Sequence, residues 1–142
     1  ILSNQGVLQY ILDDTSGAWP GSKHTNWSCL MNSMWVVSQY ENEYNPLHNH
    51  TEYSTNKLSA VMYLKIPEYK ESRPTDGNIM FVGEGDGDKY FTTSNALIKP
   101  LVGSLFLFPS SLNHEVKPFH GPGERRSVSF NVDVFSEQQQ KD

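Results

Sequence analysis

The sequence is short of cysteine, of positive charge and of long apolar runs, and each shortage excludes a class of protein. Of 142 residues only Cys29 is a cysteine, so no internal disulfide can form, and we expect a reducing compartment such as the cytoplasm. Eleven Lys and Arg against sixteen Asp and Glu leave a formal net charge of −5, without the basic footprint of a nucleic-acid-binding protein. No stretch approaches the roughly 18 apolar residues of a membrane span, and no signal peptide opens the chain. Nucleic acid and membrane are therefore not expected partners.

What the sequence does contain predicts one folded domain over residues 1–142, with its core at about 35–134 and a polar tail at 136–142. Residues 1–12 are expected to form a short helix or an irregular arm. Beyond residue 30 the sequence shows little helical pattern, and an alternation of two dominates. The predicted strands are Leu58–Ile66, Asn78–Val82, Tyr90–Thr93, Ser104–Phe108 and Arg126–Phe135. Short strands joined by turns favour a mainly β fold, an antiparallel sandwich or jelly-roll barrel.

A histidine pair, His48 and His50, is the first candidate for chemistry. In an extended segment residues two apart point to the same side, so both imidazoles can converge on one ion. Pro46 just upstream favours extended geometry at Asn45. Glu52 continues the same face and offers a carboxylate. The segment therefore predicts part of a metal site.

A third ligand must come from elsewhere in the chain, and His114 is the best candidate. It follows a hydrophobic strand and a turn, where a side chain can point back into the mouth of a barrel. Two close ligands and one remote ligand occupy one face of an octahedron and leave three positions open, which is the geometry of non-haem Fe(II) oxygenases.

Arg125 directly precedes the last predicted strand, and in extended chain it shares one face with Ser127 and Ser129. A guanidinium with a hydroxyl two residues away is a good receptor for the far carboxylate of a dicarboxylate, because the planar fork binds two oxygens and the hydroxyl adds a donor.

Taken in order, these motifs resemble the 2-oxoglutarate/Fe(II)-dependent oxygenases, and within them the small group found in marine bacteria and their phages. The resemblance spans about residues 35–134. Its motifs are Asn45–His50 (NPLHNH), Leu58–Pro67 (LSAVMYLKIP), Gly103–Ser110 (GSLFLFPS), His114 and Arg125–Asn131 (RRSVSFN).

This resemblance implies a double-stranded β-helix and a dioxygenase that couples oxidative decarboxylation of 2-oxoglutarate to oxidation, typically hydroxylation, of a C–H bond. It implies Fe(II) held near His48, His50 and His114, and the Arg-x-Ser motif of Arg125 and Ser127 on the far carboxylate of 2-oxoglutarate. Tyr63 matches a position where related prolyl hydroxylases place a tyrosine that contacts 2-oxoglutarate. The expected ligands are this cosubstrate and a substrate that is a small molecule or a protein side chain.

The sequence departs from the family at the metal motif, which is His-x-Asp or His-x-Glu followed by a distant His. We favour His48, His50 and His114 as a three-histidine site, but His50 and Glu52 are also a literal His-x-Glu. Two other classes share parts of the pattern. One is a cupin-type metalloenzyme that does not use 2-oxoglutarate, and the other is a jelly-roll binding or structural module without catalysis.

Overall fold

A computed structural model of the chain describes residues 27–51, 57–83 and 95–136, which form two antiparallel four-stranded sheets and contain no helix. The described strands are β1 (Trp27–Gln39), β2 (Asn45–His48), β3 (Lys57–Lys65), β4 (Ile79–Val82), β5 (Asn95–Ile98), β6 (Leu105–Pro109), β7 (Asn113–Val116) and β8 (Arg125–Ser136). The first sheet has the order β1-β8-β3-β6 and the second the order β2-β7-β4-β5. This is the predicted jelly-roll architecture, a double-stranded β-helix.

The core between the sheets is built by the alternate residues of the strands that face inward. Val61 and Tyr63 on β3 meet Phe108 on β6, Ile79 and Phe81 on β4, and Val116 on β7. The rings of Phe81 and Phe108 contact each other across the two sheets, with centroids 4.9 Å apart. Aromatic contacts of this kind add to the stabilisation from burial alone.

The first sheet is also apolar on its outer face, where a second buried cluster lies. Its members come from β1, β3 and β8, namely Cys29, Leu58, Ala60, Phe130, Val132 and Val134. Leu58 and Ala60 occupy one face of β3, and Ser59, Val61 and Tyr63 the other, so both faces of this strand are buried. The expectation that Cys29 is a small buried hydrophobe is confirmed.

The predicted strands agree with the structure within a residue or two where it describes them, with one correction. Pro109 was expected to follow β6, but it is the last residue of that strand and pairs with Leu58. Because β6 forms the edge of its sheet, a residue without an N–H is tolerated there. The predicted N-terminal helix, the strand Tyr90–Thr93 and residues 137–142 of the polar tail lie outside the described residues. Among the described residues no helix is long and apolar enough to cross a membrane.

Candidate functional site

His48 and His114 are neighbours because the strands β2 and β7 pair in antiparallel register. His48 is the last residue of β2 and lies directly opposite His114 on β7, and the centroids of their rings are 4.2 Å apart. Opposed residues of an antiparallel pair bring their side chains within contact distance. The register therefore joins one member of the sequence pair to the remote histidine.

His50 lies two residues past His48, just beyond the end of β2, and points to the same place. Its backbone N–H donates to the carbonyl of Ser110 at 2.9 Å, which fixes the segment against the turn between β6 and β7. Its ring lies 5.0 Å from that of His48 and 5.2 Å from that of His114, measured between centroids. One ligand atom from each of the three histidines lies within 4.8 Å of the others.

Hydrogen bonds to backbone carbonyls select the neutral tautomer of two of these rings. The Nδ1 atom of His48 lies 2.7 Å from the carbonyl of Pro46, and that of His114 lies 2.9 Å from the carbonyl of Leu112. A carbonyl can only accept, so Nδ1 is the donor in each ring, and in the neutral form of each ring the lone pair is on Nε2. This is the usual arrangement of histidines that bind a metal, in which the second ring nitrogen is held by an outer hydrogen bond.

The environment of His114 keeps its imidazole neutral. The pKa of His114 is lowered to about 4, mainly by burial and to a smaller extent by the other two histidines, while the hydrogen bond to Leu112 opposes the shift. The rings of Phe108 and Phe81 stand 4.8 Å and 6.1 Å from it. Neutral imidazole is the form that binds a metal, so His114 is available as a ligand throughout the neutral range.

Arg125 is the largest fully buried side chain of the described residues, with 1 % of its surface exposed. Its Nε donates to the carbonyl of Gly77 at 3.3 Å, and its Nη1 donates to Oε1 of Gln39 at 2.6 Å. Its Nη2 is buried and has no acceptor. No carboxylate of the described residues pairs with the guanidinium, so an uncompensated positive charge is buried here. Burial of an unpaired charge is costly, and the site is therefore suited to an anion.

Tyr63 and Ser127 lie directly opposite each other on β3 and β8, next to this guanidinium. Arg125 Cζ is 4.9 Å from the centroid of the Tyr63 ring, which gives a cation–π contact. The hydroxyl of Tyr63 is buried and makes no hydrogen bond of normal geometry with a described residue. Burial raises the pKa of Tyr63 to about 12, against the opposing charge of Arg125, so its hydroxyl stays a donor. Tyr63 therefore faces the interior, a point that the sequence left open.

A turn at Gly77 holds the guanidinium of Arg125 through a backbone hydrogen bond. Gly77 has a φ of +65°, and its N–H donates to the carbonyl of Pro118 while its own carbonyl accepts from Arg125. A Cβ at this position would collide with the hydroxyl end of Tyr69. The neighbouring Asp76 is buried and accepts from the backbone N–H of His120 at 2.9 Å. The turn is therefore fixed from several directions, and only glycine fits it.

A network of hydroxyl and amide groups lies on the inner face of the first sheet. Ser59 forms a hydrogen bond of 2.8 Å with the hydroxyl of Ser110 and donates to Oδ1 of Asn131 at 2.7 Å. Asn131 in turn donates to the hydroxyl of Ser33. Because the backbone of Ser110 holds His50, this network connects the sheet to the histidine cluster.

One cavity of about 730 Å³ contains both groups of residues. The three histidines, Arg125 and Ser127 all line it. Tyr63 contacts the guanidinium rather than the cavity itself. Trp35 on β1 adds an aromatic wall, with its ring centroid 5.7 Å from that of His50. The volume lies in the range of small-molecule sites.

The structure brings together every candidate site residue that the sequence singled out and the structure describes. His48, His50 and His114 form the only group of three or more potential metal ligands in the described ranges, while Glu52 lies outside them. Sequence reasoning missed Gln39, Gly77 and the network around Ser59. The sequence offers a signal for Gly77 alone, because the turn-forming residues Pro74 and Asp76 precede it.

A scan against family models assigns residues 33–131 to the family described as "Putative 2OG-Fe(II) oxygenase". The match covers more than half of the chain and the residues of the site. No curated protein sequence matches the chain significantly.

Solved structures share the fold at low sequence identity. An oxidoreductase of the 2OG-Fe(II) oxygenase family from Burkholderia pseudomallei matches with a TM-score of 0.60 at 13 % identity, over 75 % of this chain and 44 % of its own. HygX from Streptomyces hygroscopicus, with nickel, 2-oxoglutarate and hygromycin B bound, has a TM-score of 0.55 at 14 % identity, over 89 % and 64 %. A Pseudomonas putida prolyl-4-hydroxylase has a TM-score of 0.50 at 21 % identity, over 78 % and 52 %. The chain thus spans about half the length of these proteins.

Proposed function

The chain belongs to the 2OG-Fe(II) oxygenase family, and we propose that it is itself a 2-oxoglutarate- and Fe(II)-dependent dioxygenase that hydroxylates a C–H bond of its substrate. When bound, iron and 2-oxoglutarate supply the oxidant by reaction with dioxygen, and the balanced products are the hydroxylated substrate, succinate and carbon dioxide. The residues of this chain bind and orient these groups and exclude water from them.

We assign the metal to His48, His50 and His114. Their ligand atoms lie within reach of a single ion, and the outer hydrogen bonds of two rings leave Nε2 free to bind. Imidazole nitrogens suit Fe(II) as well as Zn(II) and Ni(II). Three neutral ligands leave the net charge of the occupied site one unit more positive than the family's two-histidine, one-carboxylate set would.

The observation that carries the assignment of 2-oxoglutarate is the buried, uncompensated guanidinium of Arg125. Its Nη2 has no acceptor, and the Tyr63 hydroxyl beside it makes no hydrogen bond of normal geometry. A carboxylate brought to this end of the cavity would accept from Nη2 of Arg125 and would neutralise its charge. Ser127 lines the same cavity and adds a hydroxyl.

The substrate is expected in the remaining space, beside Trp35 and the histidine cluster. Among the structural neighbours, one contains the small molecule hygromycin B and another is named a prolyl hydroxylase. Both a small molecule and a protein side chain therefore fit this proposal. We place the protein in the cytoplasm, where its single cysteine, Cys29, which is free and buried, stays reduced.

A thermal-shift titration tests the proposal directly. The anaerobic protein is titrated with Fe(II) or Mn(II), with and without 2-oxoglutarate. A ligand at a hundredfold excess over its dissociation constant stabilises the native state by about 2.7 kcal/mol. We expect 2-oxoglutarate to stabilise the protein only when metal is present. Stabilisation by metal alone would favour a cupin-type site, and no response to either would favour a non-catalytic module.

A further inference from the structure

Gln39 lies beside the guanidinium of Arg125, although it belongs to no motif of the sequence. It is the last residue of β1 and pairs with Arg125 in the ladder between β1 and β8. Its side chain is only 5 % exposed and lines the same cavity. A buried amide is expected to satisfy its hydrogen-bonding groups, so its partners indicate what it does.

The contact with Arg125 fixes which way the amide points. Oε1 of Gln39 accepts from Nη1 of Arg125 at 2.6 Å. The reverse orientation would place an NH₂ group against a guanidinium, and two donors cannot bond to each other. The Nε2 group must therefore point away from Arg125, where it is buried and has no acceptor.

Two neighbouring groups that line the cavity thus have donors to offer and lack an acceptor, namely Nε2 of Gln39 and Nη2 of Arg125. Folded proteins leave few buried polar atoms without a hydrogen bond, and each missing bond costs free energy. Both act as donors, so the partner that they lack is an acceptor. A carboxylate is such a group and has about four lone-pair positions.

We infer that Gln39 binds the far carboxylate of 2-oxoglutarate through Nε2, while its Oε1 holds Arg125 in position, and that this donor makes the site selective for a carboxylate. The inference rests on the function proposed above and extends it. It predicts discrimination against 2-oxoglutaramate, which carries a neutral amide in place of that carboxylate. The NH₂ group of this analogue would face a set of donors, and sites built from buried hydrogen-bonding groups reject such mismatches strongly.

The test uses two substitutions of Gln39 and one control, in protein loaded with redox-inactive Mn(II). Gln39→Glu keeps the length and the acceptor for Arg125 but replaces the donor with a carboxylate oxygen. Gln39→Met keeps the approximate length and removes both polar groups. Val36→Thr is the control, because Val36 lies on the same strand and is 59 % exposed. Binding of 2-oxoglutarate and of 2-oxoglutaramate is measured by calorimetry, and Mn(II) binding is measured separately.

We expect Gln39→Met to weaken 2-oxoglutarate binding by about 10- to 100-fold, the effect of losing one hydrogen bond to a charged group. Gln39→Glu should weaken it by more than about 100-fold, because two carboxylates then face each other and the new one neutralises Arg125. In Gln39→Glu the preference for 2-oxoglutarate over 2-oxoglutaramate should shrink or reverse, since the new oxygen accepts from the amide. Mn(II) affinity should stay within about threefold in all variants.

The outcomes separate the inference from the function on which it rests. If wild-type protein with Mn(II) does not bind 2-oxoglutarate, the proposed function itself fails. If wild-type protein binds it and both Gln39 variants retain that affinity and the same selectivity within about threefold, the function stands and the inference is overturned. Should Gln39→Glu not fold, Gln39→Met alone decides the question against Val36→Thr.

Discussion

Replacing Arg125 with methionine separates cosubstrate binding from metal binding. The guanidinium lies on β8, while the three histidines lie on and just beyond β2 and on β7. We therefore expect Arg125→Met to lose 2-oxoglutarate and to keep the metal. The variant is informative because methionine has a similar length and no charge, so it fills most of the space that the arginine leaves.

The magnitude follows from the hydrogen bonds that the structure leaves open. A hydrogen bond to a charged group is worth about 1.5–3 kcal/mol. Losing the two N–H groups of Nη2 should therefore cost about 3–6 kcal/mol of binding, or about 100- to 10,000-fold in affinity for 2-oxoglutarate. The free protein should change little. Removing a buried charge is favourable by about 1–4 kcal/mol, but it leaves the Gly77 carbonyl and Gln39 Oε1 without their donor, which costs a similar amount.

The assay is calorimetric titration of 2-oxoglutarate into Mn(II)-loaded protein, together with the thermal stability of the free protein. The control is Arg126→Met, which removes the same charge at the next position. Arg126 is exposed and pairs with Glu124 at 2.7 Å, on the opposite face of the strand from Arg125. The reasoning is refuted if Arg125→Met binds 2-oxoglutarate within threefold of wild type. It is also refuted if this variant folds normally but no longer binds metal.

Four further outcomes are expected. His114→Gln should abolish Mn(II)-dependent stabilisation, whereas His120→Gln, which lies outside the cluster, should retain it; equal loss in both would contradict the assignment of ligands. Gly77→Ala should lower the free energy of unfolding by more than 3 kcal/mol and weaken 2-oxoglutarate binding, because the new Cβ would collide with Tyr69. Gly103→Ala is the control, because Gly103 also has a positive φ, +84°, but open space around it, and it should cost about 1 kcal/mol. Calorimetric melting compares the stability of the two variants. Ser59→Ala should cost about 1–3 kcal/mol of stability, since it removes the partner of the Ser110 hydroxyl and of the Asn131 amide oxygen. Denaturant unfolding measures this loss, and an unchanged free energy of unfolding would contradict the importance of these bonds. The metal-free protein should lose about 1–3 kcal/mol of stability as the pH falls from about 6.5 to 4. In this range the histidine binds a proton in the unfolded state, whereas His114 stays neutral in the folded state because its pKa is lowered to about 4. His114→Gln should remove this part of the pH dependence.

The strands that were predicted best are those whose own residues show a clear strand pattern. β8 alternates clearly, and β3 is a continuous, mostly apolar run that ends shortly before Pro67, so their positions were predicted within about a residue. β1 was not predicted, because it carries large apolar side chains on both faces. Leu30, Met34 and Val36 are exposed, while Trp35 and Val37 turn toward the cavity. Such a strand has no period of two to detect, and β1, unlike the apolar run of β3, is also interrupted by an irregularity between Met31 and Ser33.

The same distinction applies to the site. The spacing of His48 and His50 and the shared face of Arg125 and Ser127 are local properties of extended chain, and the sequence contains them directly. The position of Gln39 depends on the register between β1 and β8, which joins residues from the two ends of the described chain. Register of this kind is set by the packing of the whole sheet and by turns elsewhere, and no short motif encodes it.

The order of the strands has a consequence for how the protein reaches its native state. Among the described strands, only β4 and β5 pair with a neighbour in the chain; β1 pairs with the last strand, and β2 pairs with β7. Pairing of distant segments makes folding slow, because loops must close before the contacts form. His48 and His114 therefore meet only when most of the chain is in place, and a metal ion that needs both cannot assist the early steps. Metal is expected to slow unfolding and to leave the rate of folding nearly unchanged.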